Sequence, residues 1–234
     1  MSVATTYADR NQTRYFDQNE VPDKELIEKC LLKTHEIVMS KQNLMPYQCH
    51  IFGPDDYDIK RRFYELASTV EYRDPEKRQF YRMERLEKHE RFFDKQKRFP
   101  NGNSQLFAPW VLVFSPRKPK PNKLVQAYLE GQHEMNYEDI KNYDNGAAKM
   151  EIGMFTALLG GVCVDEGLNV SYTGCINSRA LVEEFTWCKS QPVVSVSIGY
   201  PHTELNERYL YNKVFFKNRG EDKPKPEEIF HWME

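Results

Sequence analysis

The chain has no CxxC pair, and its cysteines are odd in number: five in 234 residues, at Cys30, Cys49, Cys163, Cys175 and Cys188. A disulfide framework needs paired thiols and a structural zinc site needs clustered ones, so neither is expected, and a reducing cytoplasm fits the composition. An excess of charge is missing too. Lys+Arg 33 against Asp+Glu 35 leaves a formal net charge of -2, without the basic signature that a nucleic-acid or anionic-membrane partner usually leaves. Met1 to Arg10 contains no apolar run of the secretory type. The longest apolar stretch, Met154 to Val164, falls short of the about 20 residues a membrane helix takes, so no membrane partner is expected.

What is present is enough for one core. A single α+β domain over 1–234 is expected at this length, and aromatics at 13% supply either core packing or flat surfaces for a planar ligand. Apolar residues at three- and four-residue spacing between Asp23 and Val38 mark a helix with one buried face, and Pro22 stands where it can begin. A strand is expected near Gln48 to Phe52 and a helix over Tyr57 to Ala67. From Pro75 to about Phe99 runs a charged segment with acid-before-base pairs four apart, such as Glu84/Lys88 and Glu87/Arg91. Its basic excess and interleaved aromatics suit either an exposed amphipathic helix or a polyanion-binding surface.

Trp110 to Phe114 is a continuous apolar run suited to a central strand. Ser115 to Lys123, with Pro116, Pro119 and Pro121, reads as a rigid surface connection, followed by a polar loop to Gly146. Ala147 to Val164 is apolar on most sides and reads as a buried helix whose glycines allow close helix approach, capped at Gly167. A short helix is expected near Leu181 to Phe185, and Pro192 to Pro201 alternates as a β-branched strand.

Two basic clusters stand out. Arg10 and Arg14 lie four apart in Arg10-Asn11-Gln12-Thr13-Arg14, and Lys217-Asn218-Arg219 lies near the other end. Four cations from opposite ends can close around one phosphate, with Gln12 and Thr13 as neutral donors, because the arginine fork offers paired donors and keeps its charge.

Arg10 to Phe16, Ser40 to Tyr47, Val111 to Phe114, Tyr172-Thr173-Gly174, Val193 to Pro201 and Lys217-Asn218-Arg219, in that order across nearly the whole chain, resemble the flavin-dependent nitroreductase family. The resemblance implies a nitroreductase-like α+β fold: a central mixed, mainly antiparallel sheet flanked by helices, with a C-terminal extension across a homodimer and flavin sites at the subunit interface. It implies FMN as cofactor and NAD(P)H as co-substrate. Arg10, Lys217 and Arg219 would hold the phosphate beside Asn11 and Thr13, with Gln12 where the family usually has Ser. Arg14 would take the basic position near flavin N1 and O2. Ser40 and Asn43 belong to a loop that in the family contacts the partner's flavin, although Met39 and Met45 replace its usual Pro and Gln. Asn101 or Asn103 would meet the pyrimidine edge, with Asn103 taken as the site residue. The turn at Tyr172, Thr173 and Gly174 would face flavin N5 through its backbone.

On this resemblance the expected activity is hydride transfer from NAD(P)H through the flavin to a nitroaromatic or quinone-type acceptor, with no side chain as general acid. Two alternatives stay open: a flavin-binding family member with other chemistry, such as dehalogenation or flavin breakdown, or with no turnover; and a non-enzymatic polyanion- or nucleic-acid-binding protein using the Lys77 to Arg98 segment.

Overall fold

The computed structural model describes residues 13–40, 43–66, 103–120, 145–203 and 226–229, with positions 123, 126, 130, 131 and 206. Helix α1 spans Lys24–Ile37, and the Asp23 side chain caps it by accepting from the Leu26 N–H at 2.7 Å. Strand β1 (Tyr47–Phe52) and helix α2 (Tyr57–Leu66) follow. A short 3₁₀ helix at Ser104–Phe107 leads into β2 (Trp110–Pro116). Helix α3 (Asn145–Asp165), β3 (Asn169–Thr173), α4 (Ser178–Glu184), β4 (Val194–Gly199) and the short α5 (Pro226–Ile229) complete the order.

The described strands form one sheet in the order β1-β2-β4-β3, and every pairing is antiparallel. Strand β2 is buried on both faces, and its side chains divide by parity. Trp110, Leu112 and Phe114 join a core with α1 and α3, while Val111 and Val113 join a second core with Phe52, Phe63, Phe107 and Leu181. Successive residues of a strand point to opposite faces, so one apolar run feeds two cores. The second core is largely aromatic: Phe63 meets Phe52 edge-on at 5.1 Å and Phe185 at 5.3 Å.

Helix α3 shows why its sequence is apolar nearly all round. One side packs on α1 and the sheet through Ile152, Phe155, Leu159 and Cys163. Over Gly146–Asp165 it is long and apolar enough to cross a bilayer by length and composition, exceeding the Met154 to Val164 stretch expected, and half of that window is buried inside the fold. It ends in a Schellman turn: Leu168 N–H donates to the Cys163 carbonyl at 2.8 Å and Gly167 N–H to that of Val164 at 3.0 Å, with Gly167 at φ 79°. Gly160 serves a side chain rather than a neighbouring helix. The Tyr172 hydroxyl lies over it and donates to the Thr156 carbonyl at 2.9 Å.

Other expectations are corrected. Ser115 and Pro116 belong to β2 and pair with Gln48 and Tyr47. Pairing with β4 stops at Phe114, so the proline stands where only one neighbour needs satisfying. Positions 123, 126, 130 and 131 are helical where a connection and loop were expected. The charged segment from Pro75 to Phe99 lies outside the described residues.

Candidate active site

The N-terminal arm and the chain beyond β4 meet. Phe16 bridges Pro201, Asp17 N–H donates to the Tyr200 carbonyl at 2.9 Å, and His202 N–H donates to that of Tyr15 at 3.0 Å. Asn206 locks the junction: its Oδ1 accepts from the N–H of Arg14 (2.9 Å) and Tyr15 (3.1 Å), and its Nδ2 donates to the Tyr15 carbonyl. Residues about 190 apart in sequence are therefore neighbours, which sets Arg14 beside the start of the C-terminal segment.

Arg14 lies against the end of β3. Its Nη1 donates to Gln105 Oε1 at 2.9 Å, and Gln105 Nε2 donates to Thr173 Oγ1 at 2.6 Å. The two residues before Gln105 extend the same junction: Ser104 Oγ donates to the Arg14 carbonyl at 3.1 Å, and Asn103 Nδ2 to the Cys175 carbonyl at 3.1 Å. Three consecutive side chains at the start of the 3₁₀ helix, its N-cap Asn103 with Ser104 and Gln105, thus reach the arm, the end of β3 and the turn after it. That turn is open. Gly174 is exposed with free space where a side chain would stand, and Cys175 is exposed beside it.

The sheet face beneath is polar and buried. Ser171, Thr173, Ser195 and Ser197 line it, and the hydroxyls of Ser171 and Ser197, opposite one another in register, have no hydrogen-bond partner. Lys60 clamps the segment from behind, with Nζ donating to the carbonyls of Ala108 (3.0 Å) and Pro109 (2.7 Å). Burial pushes its pKa down from 10.5 to about 8, against the opposing pull of Asp56 and Asp55.

The expected site residues fall into three groups. Arg14, Asn103, Thr173 and Gly174 come together, although the Asn103 amide is engaged with the Cys175 carbonyl. Tyr172 is adjacent in sequence, but its side chain turns to the opposite face of the sheet and packs on α3. Thr13 is buried, donating its N–H to the Val170 carbonyl and accepting from Asn169 Nδ2. Ser40 and Asn43 lie on the loop before β1, across the sheet, where Ser40 Oγ accepts from the Met45 N–H at 2.9 Å. Asn43 and Met45 both take left-handed backbone angles there, φ 53° and 45°. Arg117 Nε braces that loop through the carbonyls of Met45 (2.9 Å) and Tyr47 (2.8 Å). Arg10, Asn11, Gln12, Lys217 and Arg219 lie outside the described residues.

Sequence reasoning missed Gln105, Lys60 and Arg117. The one local hint was polarity immediately before an apolar strand at Asn103-Ser104-Gln105. A lone Lys in a helix and a lone Arg after Pro carry no comparable signal.

No protein-family profile matches the sequence, and no curated protein does. Solved structures do match. A nitroreductase-like protein from Streptococcus mutans aligns at TM-score 0.57 and 14% identity over 85% of this chain and 88% of its own. An FMN and NADPH-dependent nitroreductase from Sphigopyxis sp. strain HMH aligns at 0.58 and 14%, covering 100% of both chains. The chain has the nitroreductase-like fold. An enone reductase of gut-bacterial fatty acid saturation metabolism shares it at TM-score 0.55 and 10% identity, over 86% of this chain and 89% of that one. Within the nitroreductase-like fold, the Arg14–Gln105–Thr173 junction is built from this chain's own side chains.

Proposed function

We propose that the chain is an FMN-dependent oxidoreductase that takes hydride from NAD(P)H and passes it to an electron-poor acceptor of the nitroaromatic or quinone type. The observation that carries this is the link, through Gln105, of the Arg14 guanidinium to Thr173 at the end of β3, after which an open turn begins at Gly174, in a chain whose structural neighbours include an FMN and NADPH-dependent nitroreductase. The donor set fits a flavin. A permanently charged fork suits the N1/O2 edge, where negative charge gathers on reduction, and a glycine with free space beside it admits a flat ring. FMN supplies the hydride acceptor and donor when bound. The protein's part is to hold Arg14 fixed, to keep side chains away at Gly174, and to present the turn's backbone. Arg10, Lys217 and Arg219 are the proposed phosphate ligands, with Asn11, Gln12 and Thr13 in the same turn.

A homodimer in the cytoplasm is part of the proposal. Strand β1 and strand β3 are opposite edges of the sheet among the described residues, about 14 Å apart at three strand spacings. The Ser40–Asn43 loop would then serve a flavin held mainly by the partner subunit. Helix α3 supports the same arrangement, because it exposes Met150 at 61% and Met154 at 41%, with the exposed Gly153 and Ala157 on the same helical stripe.

The test is the visible spectrum of freshly purified protein before and after NADH or NADPH. Flavin bands that bleach with the donor and return with a quinone are expected; colourless protein that takes up no FMN removes the proposal. Arg14→Ala is expected to lower the bound flavin's midpoint potential by about 30 mV, the two-electron equivalent of one lost charge-assisted contact of ~1.4 kcal/mol. An unchanged potential takes Arg14 away from the ring. Cys175 is an independent reporter, because it alone of the five cysteines is exposed. It should react first with a thiol reagent, and bound FMN should slow that reaction; equal rates with and without FMN would place the flavin elsewhere.

A further inference from the structure

We propose that Arg117 is the positioning residue that holds the Leu44–Tyr47 backbone in a curled shape, and that this shape presents Asn43 to a flavin bound by the partner subunit. This rests on the FMN reading of the site. Arg117 binds four consecutive carbonyls. Its Nε donates to those of Met45 (2.9 Å) and Tyr47 (2.8 Å), its Nη2 to that of Leu44 (3.3 Å), and its own backbone N–H to that of Pro46 (3.0 Å). Successive carbonyls of an extended chain alternate in direction, so four in a row meet one residue only where the backbone curls.

The curl is strained. Asn43 and Met45 take φ 53° and 45°, left-handed angles that cost any residue with a Cβ, Met more than Asn. Such angles persist only where the surroundings hold them. Met45 is held at three points: its N–H donates to Ser40 Oγ at 2.9 Å, its carbonyl accepts from Arg117, and its Sδ accepts from the Tyr47 hydroxyl at 3.2 Å. Its side chain is thereby committed within the loop. Asn43 is exposed, with its backbone N–H taken by the Ser40 carbonyl at 3.1 Å, so the loop offers outward an amide that can both donate and accept.

Arginine suits this task. Converging carbonyl oxygens repel one another, and a planar cation with N–H donors in a fixed fork offsets the repulsion while setting their angles. A lysine would supply a point charge on a flexible stem and set no angles. The clamp is also anchored to the sheet, because Arg117 directly follows Pro116, the end of β2, whose partner in β1 is Tyr47.

Full-length Arg117→Ala, Arg117→Lys, Asn43→Gly and the double variant of Arg117→Ala with Asn43→Gly test this. Glycine at 43 removes the amide and accepts the left-handed angle without strain. In flavin-free protein, Arg117→Ala should raise hydrogen exchange at the Asn43 and Met45 amides while Ile51 and Phe52 stay as in wild type, and Arg117→Lys should lie closer to Arg117→Ala than to wild type. Arg117→Ala and Asn43→Gly should each weaken FMN binding about fivefold, the effect of one neutral hydrogen bond. The double variant should bind no more weakly than either, because one residue acts through the other; a clamp that served folding alone would not show this. The assignment is overturned if exchange at Asn43 and Met45 is unchanged in Arg117→Ala or fully protected in Arg117→Lys. It is equally overturned if either single variant binds FMN as wild type does, or if the two losses multiply in the double variant. Wild-type protein that takes up no FMN overturns the flavin reading and the presentation of Asn43 with it, while the exchange result separately decides whether Arg117 holds the loop.

Discussion

Gly160→Ala is expected to destabilise the protein by about 2 kcal/mol, and adding Tyr172→Phe to the same chain is expected to restore most of that loss. A Cβ at position 160 would fall 2.1 Å from the Tyr172 hydroxyl but 3.3 Å from its ring carbon Cζ. The clash is thus with one oxygen, which the Thr156 carbonyl holds in place at 2.9 Å. Overpacking typically costs about 1 to 3 kcal/mol and a lost hydrogen bond about 1. Alanine returns about 1 kcal/mol through helix propensity, so the clash prevails while the hydroxyl is there and the propensity gain prevails once it is gone. Denaturant melts of the two single variants and the double variant form a double-mutant cycle. Equal destabilisation by Gly160→Ala with and without the hydroxyl would show that the contact is not the cause.

Lys60 is expected to make the protein more stable as pH rises from about 8 towards 10.5. Its folded pKa is depressed to about 8 against 10.5, so within that window the unfolded chain binds a proton that the folded one has released. Stability then rises with pH. The full span is about 3 kcal/mol, at ~1.4 kcal/mol per unit. Below pH 8 the charged amine is carried at full desolvation cost. The buried thiols act in the opposite sense, because burial raises Cys49 and Cys188, and Cys163 is raised by its hydrogen bond with Cys30 as well as by burial. Each loses stability above about pH 9. The measurement is therefore the difference between wild type and Lys60→Met across pH 7 to 10, in which the thiols cancel. A flat difference curve would mean that Lys60 is not desolvated in solution.

Most of the elements were legible in the sequence because the signals that specify them are short-range. The α1 periodicity carried through to Lys24–Ile37, the apolar run at Trp110 became the central strand, and the Asp165-Glu166-Gly167 cap lies where it was expected. The misreadings came where a local rule met a non-local circumstance. Pro116 closes a strand because its partner on one side has already ended. Gly160 is small because a tyrosine from a later strand crosses it, not because another helix does. Half of the candidate site was also legible, in that Arg14 and Thr173-Gly174 were named and do converge. The residue between them was not, because a buried glutamine has no pattern of its own in the sequence.

Amino-acid order alone marked α1, β1, the central strand β2, α3 and β4 and the apolar face of α1, since periodicity, caps and β-branching act over a few residues. Tertiary structure alone decided that Gln105 stands between Arg14 and Thr173, partners 91 and 68 positions away. It also decided that Lys60 is buried under two carbonyls 48 and 49 positions on, and that Tyr172 faces away from Thr173. Those contacts follow from the order in which strands join the sheet, and that order is set by the burial of the whole chain rather than by any stretch of it.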